Sequence, residues 1–229
     1  MIMKKILFLA MTLILAAPAY AVENTSADTN SASAQAEAIY TQSIETRTSK
    51  ILDALALTDT NQIAQVHDIV IAQWRALRAW HDENDPKIKA AGTDTNAVAQ
   101  IQASLRLLHK GYIAKLSDDL TPAQVETVKD RMTSGVVQAT YNGYLEIVPN
   151  LTDTDKAKIL ELLKAGREEA MDGGSTKEKA AIIKKYKGRI NIYLNAHGHN
   201  VTQAYKDWGA AQKAKANAAA AADTNSAAN

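Results

Sequence analysis

The chain predicts an all-α fold, a single multi-helix bundle domain flanked by flexible low-complexity tails. Apolar residues recur at steps of three and four, as in Ile63, Val66, Val70, Trp74 and Leu77, and again in Val98, Ile101, Leu105, Leu108 and Tyr112. The period-2 alternation of a half-buried strand is absent. A helix-start pattern also recurs, with threonine and aspartate or proline ahead of each amphipathic run.

The first helix is expected over residues 34–57, ending where Leu57-Thr58-Asp59-Thr60-Asn61 opens a second over 59–84. Asp85-Pro86 is expected to break that helix, because proline lacks the amide that an interior turn needs. Gly92-Thr93-Asp94-Thr95-Asn96 then opens a third over 94–116. Leu120-Thr121-Pro122-Ala123-Gln124 starts a fourth over 122–132, with proline at the first helical position and a capping box between Thr121 and Gln124. Gly135 separates it from a fifth over 138–147, which stops at Pro149-Asn150. Leu151-Thr152-Asp153-Thr154-Asp155 opens a sixth over 153–171; Gly173-Gly174 turns the chain into a seventh over 176–195, and an eighth follows over 201–215. The starts lie 35, 28 and 31 residues apart, a pitch resembling a helical repeat. Only the caps recur, so successive helices of ordinary length are expected and not a solenoid.

Residues 1–21 read as a cleavable signal peptide: Lys4 and Lys5 precede an apolar run from Ile6 to Ala17, and Ala19-Tyr20-Ala21 forms a small-x-small cleavage site. The apolar run is too short to cross roughly 30 Å of hydrocarbon. The mature chain is therefore expected in the periplasm or the medium, with no stable membrane insertion after cleavage. With no cysteine in the chain, stability must come from the core. Without Lys4 and Lys5 the balance is 24 basic against 25 acidic residues, which argues against a nucleic-acid partner. Residues 22–37 and 216–229 are expected to be flexible, both carrying the low-complexity string Ala-Asp-Thr-Asn-Ser; residues 38–215 are expected to form the helical domain.

No nucleophile elbow, phosphate loop, paired-cysteine cluster or metal motif is present, so neither cofactor nor metal is expected. His197-Gly198-His199 supplies at most two ligands. The densest polar chemistry lies between Arg167 and Leu194, on two helical segments joined by glycines. Candidate ligand-binding residues there are Arg167, Glu168, Asp172, Lys187, Arg189, Asn191 and Tyr193. Trp80 joins them as an aromatic platform because it lies off the apolar stripe, whereas Trp74 continues that stripe and is expected in the core. Ion pairs from Arg167 to a carboxylate, and from Arg189 to Glu168 or Asp172, would explain the same residues without a ligand. Gly188, inside the seventh helix, suggests a close neighbour at that point.

The run beginning VKDRMTSGVVQATYNGYLEIVPNLTD at Val128, with REEAMDGGS from Arg167 and KYKGRINIYL from Lys185, resembles an uncharacterised family of exported bacterial proteins, a domain of unknown function described as sugar-binding. The likeness spans about residues 51–208. With the polar crowding between Arg167 and Leu194 it implies a binder of carbohydrate or another small polar ligand, and the lack of a motif with a mechanism makes a non-catalytic role the expectation. Family members carry an aromatic pair near Ile182-Ile183 and a second asparagine at Ile192, groups that this chain lacks.

Two other functions compete. Leu120-Thr121-Pro122-Ala123-Gln124 is similar to the signature of small periplasmic helical chaperones, which bind unfolded clients. Glu168, Glu169 and Asp172 could supply the paired carboxylates of a carbohydrate hydrolase or lyase.

Overall fold

In the computed structural model the backbone of residues 25–226 and the side chains of residues 32–219 are described. Eight helices run through the described residues, with no strand among them: α1 (Thr25–Leu55), α2 (Thr60–Ala91), α3 (Thr95–Asp119), α4 (Pro122–Met132), α5 (Val136–Ile147), α6 (Asp153–Met171), α7 (Thr176–Ala196) and α8 (Val201–Ser226). The fold is all-α, as the apolar periodicity requires. None of these helices is long and apolar enough to cross a membrane. The expected signal segment, residues 1–21, lies outside the described residues.

The helix starts follow the sequence pattern with one change of chemistry. At α2 and α3 the capping side chain is the aspartate and not the threonine before it. Asp59 accepts from the amides of Asn61 and Gln62, and Asp94 accepts from those of Asn96 and Ala97. A carboxylate adds a favourable charge at the positive end of the helix dipole, which a hydroxyl cannot. Thr121 and Thr152 cap α4 and α6, in capping boxes closed by Gln124 and Asp155. Asp155 is almost completely buried, and His199 adds a contact at 3.2 Å. The Thr152 hydroxyl, amide donation from Thr152 and the His199 imidazole together hold the Asp155 carboxyl down to about 2 against its burial.

The boundaries that differ most from expectation are three. The second helix does not end at Asp85-Pro86 but continues through Pro86 to Ala91, where Gly92 with φ 56° stops it. The carbonyl that loses its partner belongs to Asp82, which is exposed as Pro86 is, so water can satisfy it. The first helix begins at Thr25, and the last extends to Ser226, further than the expected 34–57 and 201–215.

Met1–Thr41 and Gln42–Asn229 cluster as separate units. In the first, the described side chains from 32 to 39 are exposed along α1. In the second, α2 packs along α3, α6 along α7, and α5 against α6, while α4 touches both α3 and α6, and α8 touches α5 and α7. One core joins Val137, Tyr144 and Val148 of α5, Ile159 and Leu163 of α6, Ile190 and Leu194 of α7, and Val201 of α8. Each fully buried aliphatic side chain there is worth about 1.5–3 kcal/mol in water-excluded surface. The Tyr144 hydroxyl, inside that core, donates to Asn191 Oδ1 at 2.7 Å and reaches the Lys187 carbonyl at 3.2 Å.

The glycine that admits a neighbouring helix is Gly166 and not Gly188. A Cβ at Gly166 would meet the Tyr186 ring at 2.8–3.0 Å, whereas one at Gly188 would meet nothing within 4 Å. Gly188 faces open space on the exposed side of α7.

Candidate functional site

Gly166 presses α6 against α7, and Arg167, one residue and about 100° further round the helix, turns toward α4. On α4 the buried stripe Val125, Val128 and Met132 leaves Glu126, Lys129 and Asp130 at its edge. Arg167 is 2% exposed and reaches Glu126 at 2.8 Å, Asp130, and its neighbour Glu168 at 3.1 Å. Burial opposes its charge, but those three carboxylates more than compensate and hold the guanidinium firmly protonated.

Glu168 gathers three cations. Its Oε2 lies 3.3 Å from His109 Nε2 of α3 and 3.1 Å from Lys129 Nζ of α4, while Oε1 takes Arg167. Although burial pushes its carboxyl up, donation from His109, Lys129 and Arg167 pulls it down to about 2. His109 uses its other nitrogen on Asp172 Oδ1 at 3.0 Å. Bonds to Asp172 and Glu168 raise the imidazole to about 9 against its burial, so it is an imidazolium at neutral pH.

Asp172, the C-cap of α6, also ties down α2. Its carbonyl lies 2.7 Å from Nε2 of the buried His81, whose Nδ1 is 2.9 Å from Asp85. Burial alone would lower the His81 pKa, but the Asp172 carbonyl and Asp85 raise it. A cationic ring at a helix C-terminus also complements the dipole. The glycine pair that follows makes room for these contacts: a Cβ at Gly174 would stand 2.6 Å from the His81 ring, and one at Gly173 would stand 2.9 Å from Lys179 Cγ. Neither glycine has positive φ, so close approach and not turn geometry explains them. Lys179 lies with Nζ 5.0 Å from the Trp74 ring centre, and its burial, with Arg47 nearby, pushes the ammonium down to about 8.

Beside this network a pocket of about 370 Å³ opens to solvent, lined by His109, Lys110, Ile113 and Ala114 of α3, Lys129 of α4 and Glu168 of α6. The wall is set before any ligand arrives, because ion pairs to neighbouring helices fix His109, Lys129 and Glu168.

The residues singled out from sequence divide. Arg167, Glu168 and Asp172 come together in the network, and Glu168 lines the pocket. The others lie in different environments. Asn191 bonds the Tyr144 hydroxyl in the α5–α7 contact, and the Lys187 carbonyl shares that hydroxyl. Arg189 stacks its guanidinium 4.6 Å from the Tyr186 ring centre and does not pair with Glu168 or Asp172. Tyr193 packs on His197 with ring centres 4.1 Å apart. Trp80, half-buried, donates to Ser104 and meets the edge of His81, but it does not line the pocket. Glu169 points to Lys185 at 2.9 Å. Trp74 is buried, as its place on the stripe implies.

Sequence reasoning did not select His109, Lys110, Glu126, Lys129 or Asp130. The only local signal is that Glu126, Lys129 and Asp130 stand at steps of three and four beside an apolar stripe, a pattern that solvated helix faces share. Among the described residues no group of three or more histidine or acidic side chains is arranged to hold a metal ion.

A family model described as a protein of unknown function, DUF3826, matches residues 41–216. The chain belongs to the DUF3826 family. The DUF3826 domain thus takes in every residue of the network and the pocket. No curated protein matches the chain.

Proposed function

We propose that this DUF3826 protein is an exported, non-catalytic binding protein that takes a small polar ligand, with carbohydrates among the candidates, in the pocket between α3, α4 and α6. The observation that carries the reading is the pocket itself: an open depression of about 370 Å³ whose accessible lining is mainly carbon, edged by the charged groups of His109, Lys110, Lys129 and Glu168 and backed by the buried Arg167. Small-molecule sites fall in the range of about 300–1,000 Å³ and present a few fixed polar groups beside apolar surface, here Ile113 and Ala114. Export rests on the sequence of residues 1–21.

Binding is favoured over hydrolysis by the state of the acids. Three cations hold Glu168 ionised, so it cannot serve as the proton donor that a glycosidase needs. Glu169 is turned away to Lys185. A chaperone reading gains no comparable support, because the large exposed apolar side chains Ile39, Leu107, Leu145, Ile192 and Tyr205 are spread over five helices.

The test is a thermal-stability screen against neutral and charged saccharides and small organic acids, run on the wild type, Ala114→Trp and Arg189→Ala. Ala114 is an exposed pocket residue, so an indole there fills the pocket without entering the core. A ligand should raise the melting temperature of the wild type and Arg189→Ala but not of Ala114→Trp. A rise that survives in Ala114→Trp, or disappears in Arg189→Ala, would overturn the placement.

A further inference from the structure

The hydrogen-bonding capacity of the pocket is unbalanced. Glu168 is its one acidic lining residue, and the lining cations are His109, Lys110 and Lys129. Glu168 already accepts from three cations, which leaves about one of its four lone-pair directions open. Both ring nitrogens of His109 are engaged, by Glu168 and Asp172, so it contributes charge but no further donor. Lys129 spends two of its three N–H groups on Glu126 and Glu168. The ammonium of Lys110, exposed and one residue beyond His109, has no ion pair or hydrogen bond among the described residues. The unused capacity is therefore donors on cations, from Lys110 and Lys129. The acceptor side is nearly full.

A neutral sugar's hydroxyls can accept from these ammonium groups but must pass their own protons to solvent at the open mouth and bring no charge to the cations, so they gain less from this wall. An anionic group brings acceptors only. Ile113 and Ala114 offer carbon surface next to the charges. Resting on the pocket reading above, we infer that the ligand carries a carboxylate or phosphate, bound by the ammonium groups of Lys110 and Lys129 beside the His109 imidazolium, with its carbon skeleton against Ile113 and Ala114. Arg167, 2% exposed, engages Oε1 of Glu168, so that carboxylate is already committed to the network.

The experiment titrates the protein with glucose, glucuronate and inorganic phosphate while following histidine ring signals by NMR, His109 being assigned by its absence in His109→Gln. Glucose and glucuronate differ only in the carboxylate, and phosphate supplies an anion without a skeleton. Saturable movement of the His109 signal with glucuronate or phosphate, and much weaker movement with glucose, is the expected result; the stronger of the two anions identifies the source. Lys110→Gln should weaken the anion roughly tenfold or more, the usual worth of a charge-assisted hydrogen bond. Lys115→Gln, an exposed lysine on the same helix that does not line the pocket, should leave the affinity unchanged. Equal response to glucose and glucuronate would overturn the anion inference and leave the pocket standing. Equal weakening by Lys115→Gln would overturn it as diffuse charge attraction. Silence at His109 with all three probes would overturn the anion inference, while the thermal-stability screen on Ala114→Trp decides the pocket separately.

Discussion

Replacing Arg167 with methionine removes the charge at the centre of the network while keeping an unbranched side chain of similar reach. The guanidinium is 2% exposed, and its departure leaves the carboxylates of Glu126, Asp130 and Glu168 facing one another. Breaking a buried ion pair from one side costs about 3–5 kcal/mol. The three carboxylates are 43%, 44% and 34% exposed and can recover water, which puts the expected loss near the lower bound. For a helical body of this size a loss of about 3 kcal/mol lowers the melting temperature by roughly 6–12 °C. The assay is urea and thermal unfolding followed by far-ultraviolet circular dichroism at pH 7. Adding Glu126→Gln and Asp130→Asn to Arg167→Met should return part of the loss, because the orphaned charges are gone. A loss under about 1 kcal/mol, or a triple variant no more stable than the single one, would refute the network as the anchor of this end of α6.

Three further outcomes follow from the packing and the charges. The His109 imidazole rises from 6.5 to about 9, so its stabilisation is fully present below pH 6.5 and is lost as pH climbs toward 9. His109 alone should lower the unfolding free energy by up to about 3 kcal/mol across that window, a part that His109→Gln removes; His81 and His67, both also raised, add to the fall, and Lys179, lowered to about 8, opposes it above pH 8. Gly166→Ala and Gly188→Ala should move in opposite directions in denaturant titrations: overpacking against Tyr186 costs about 1–3 kcal/mol, whereas alanine in the open α7 site gains up to about 1 kcal/mol of helix propensity. Asn191→Ala should lower stability by about 1 kcal/mol through the lost Tyr144 bond while leaving any ligand-induced rise in melting temperature intact.

Much of the fold was legible because it is local. Thr121-Pro122 with Gln124, and Thr152 with Asp155, announce capped helix starts within four residues, and α4 and α6 begin where those motifs place them. The spacing of Val66, Val70, Trp74 and Leu77 gave a stripe that is buried in the structure. Pro86 misled because a single exposed proline can be carried inside a long helix whose other turns are well packed. The candidate site was legible in part. Arg167, Glu168 and Asp172 stood out by composition, but their partners Glu126, Lys129, Asp130 and His109 lie 37 to 63 positions away in sequence from the groups they meet, and no local pattern encodes such a meeting. Lys187, Arg189, Asn191 and Tyr193 share the crowded segment with Arg167 yet serve α7 packing and its surface, since helices send neighbouring residues to different faces.

The pocket is tested most directly by hydrogen–deuterium exchange read by mass spectrometry, with and without whichever compound stabilises the protein most. Slowed exchange in peptides covering residues 109–114, 126–130 and 165–168 is the expected result, since ordering a ligand between α3, α4 and α6 must suppress their local opening. Protection confined to residues 187–193 of α7, with α3 and α4 unchanged, would contradict it and return the site to the face on which Arg189 stacks over Tyr186.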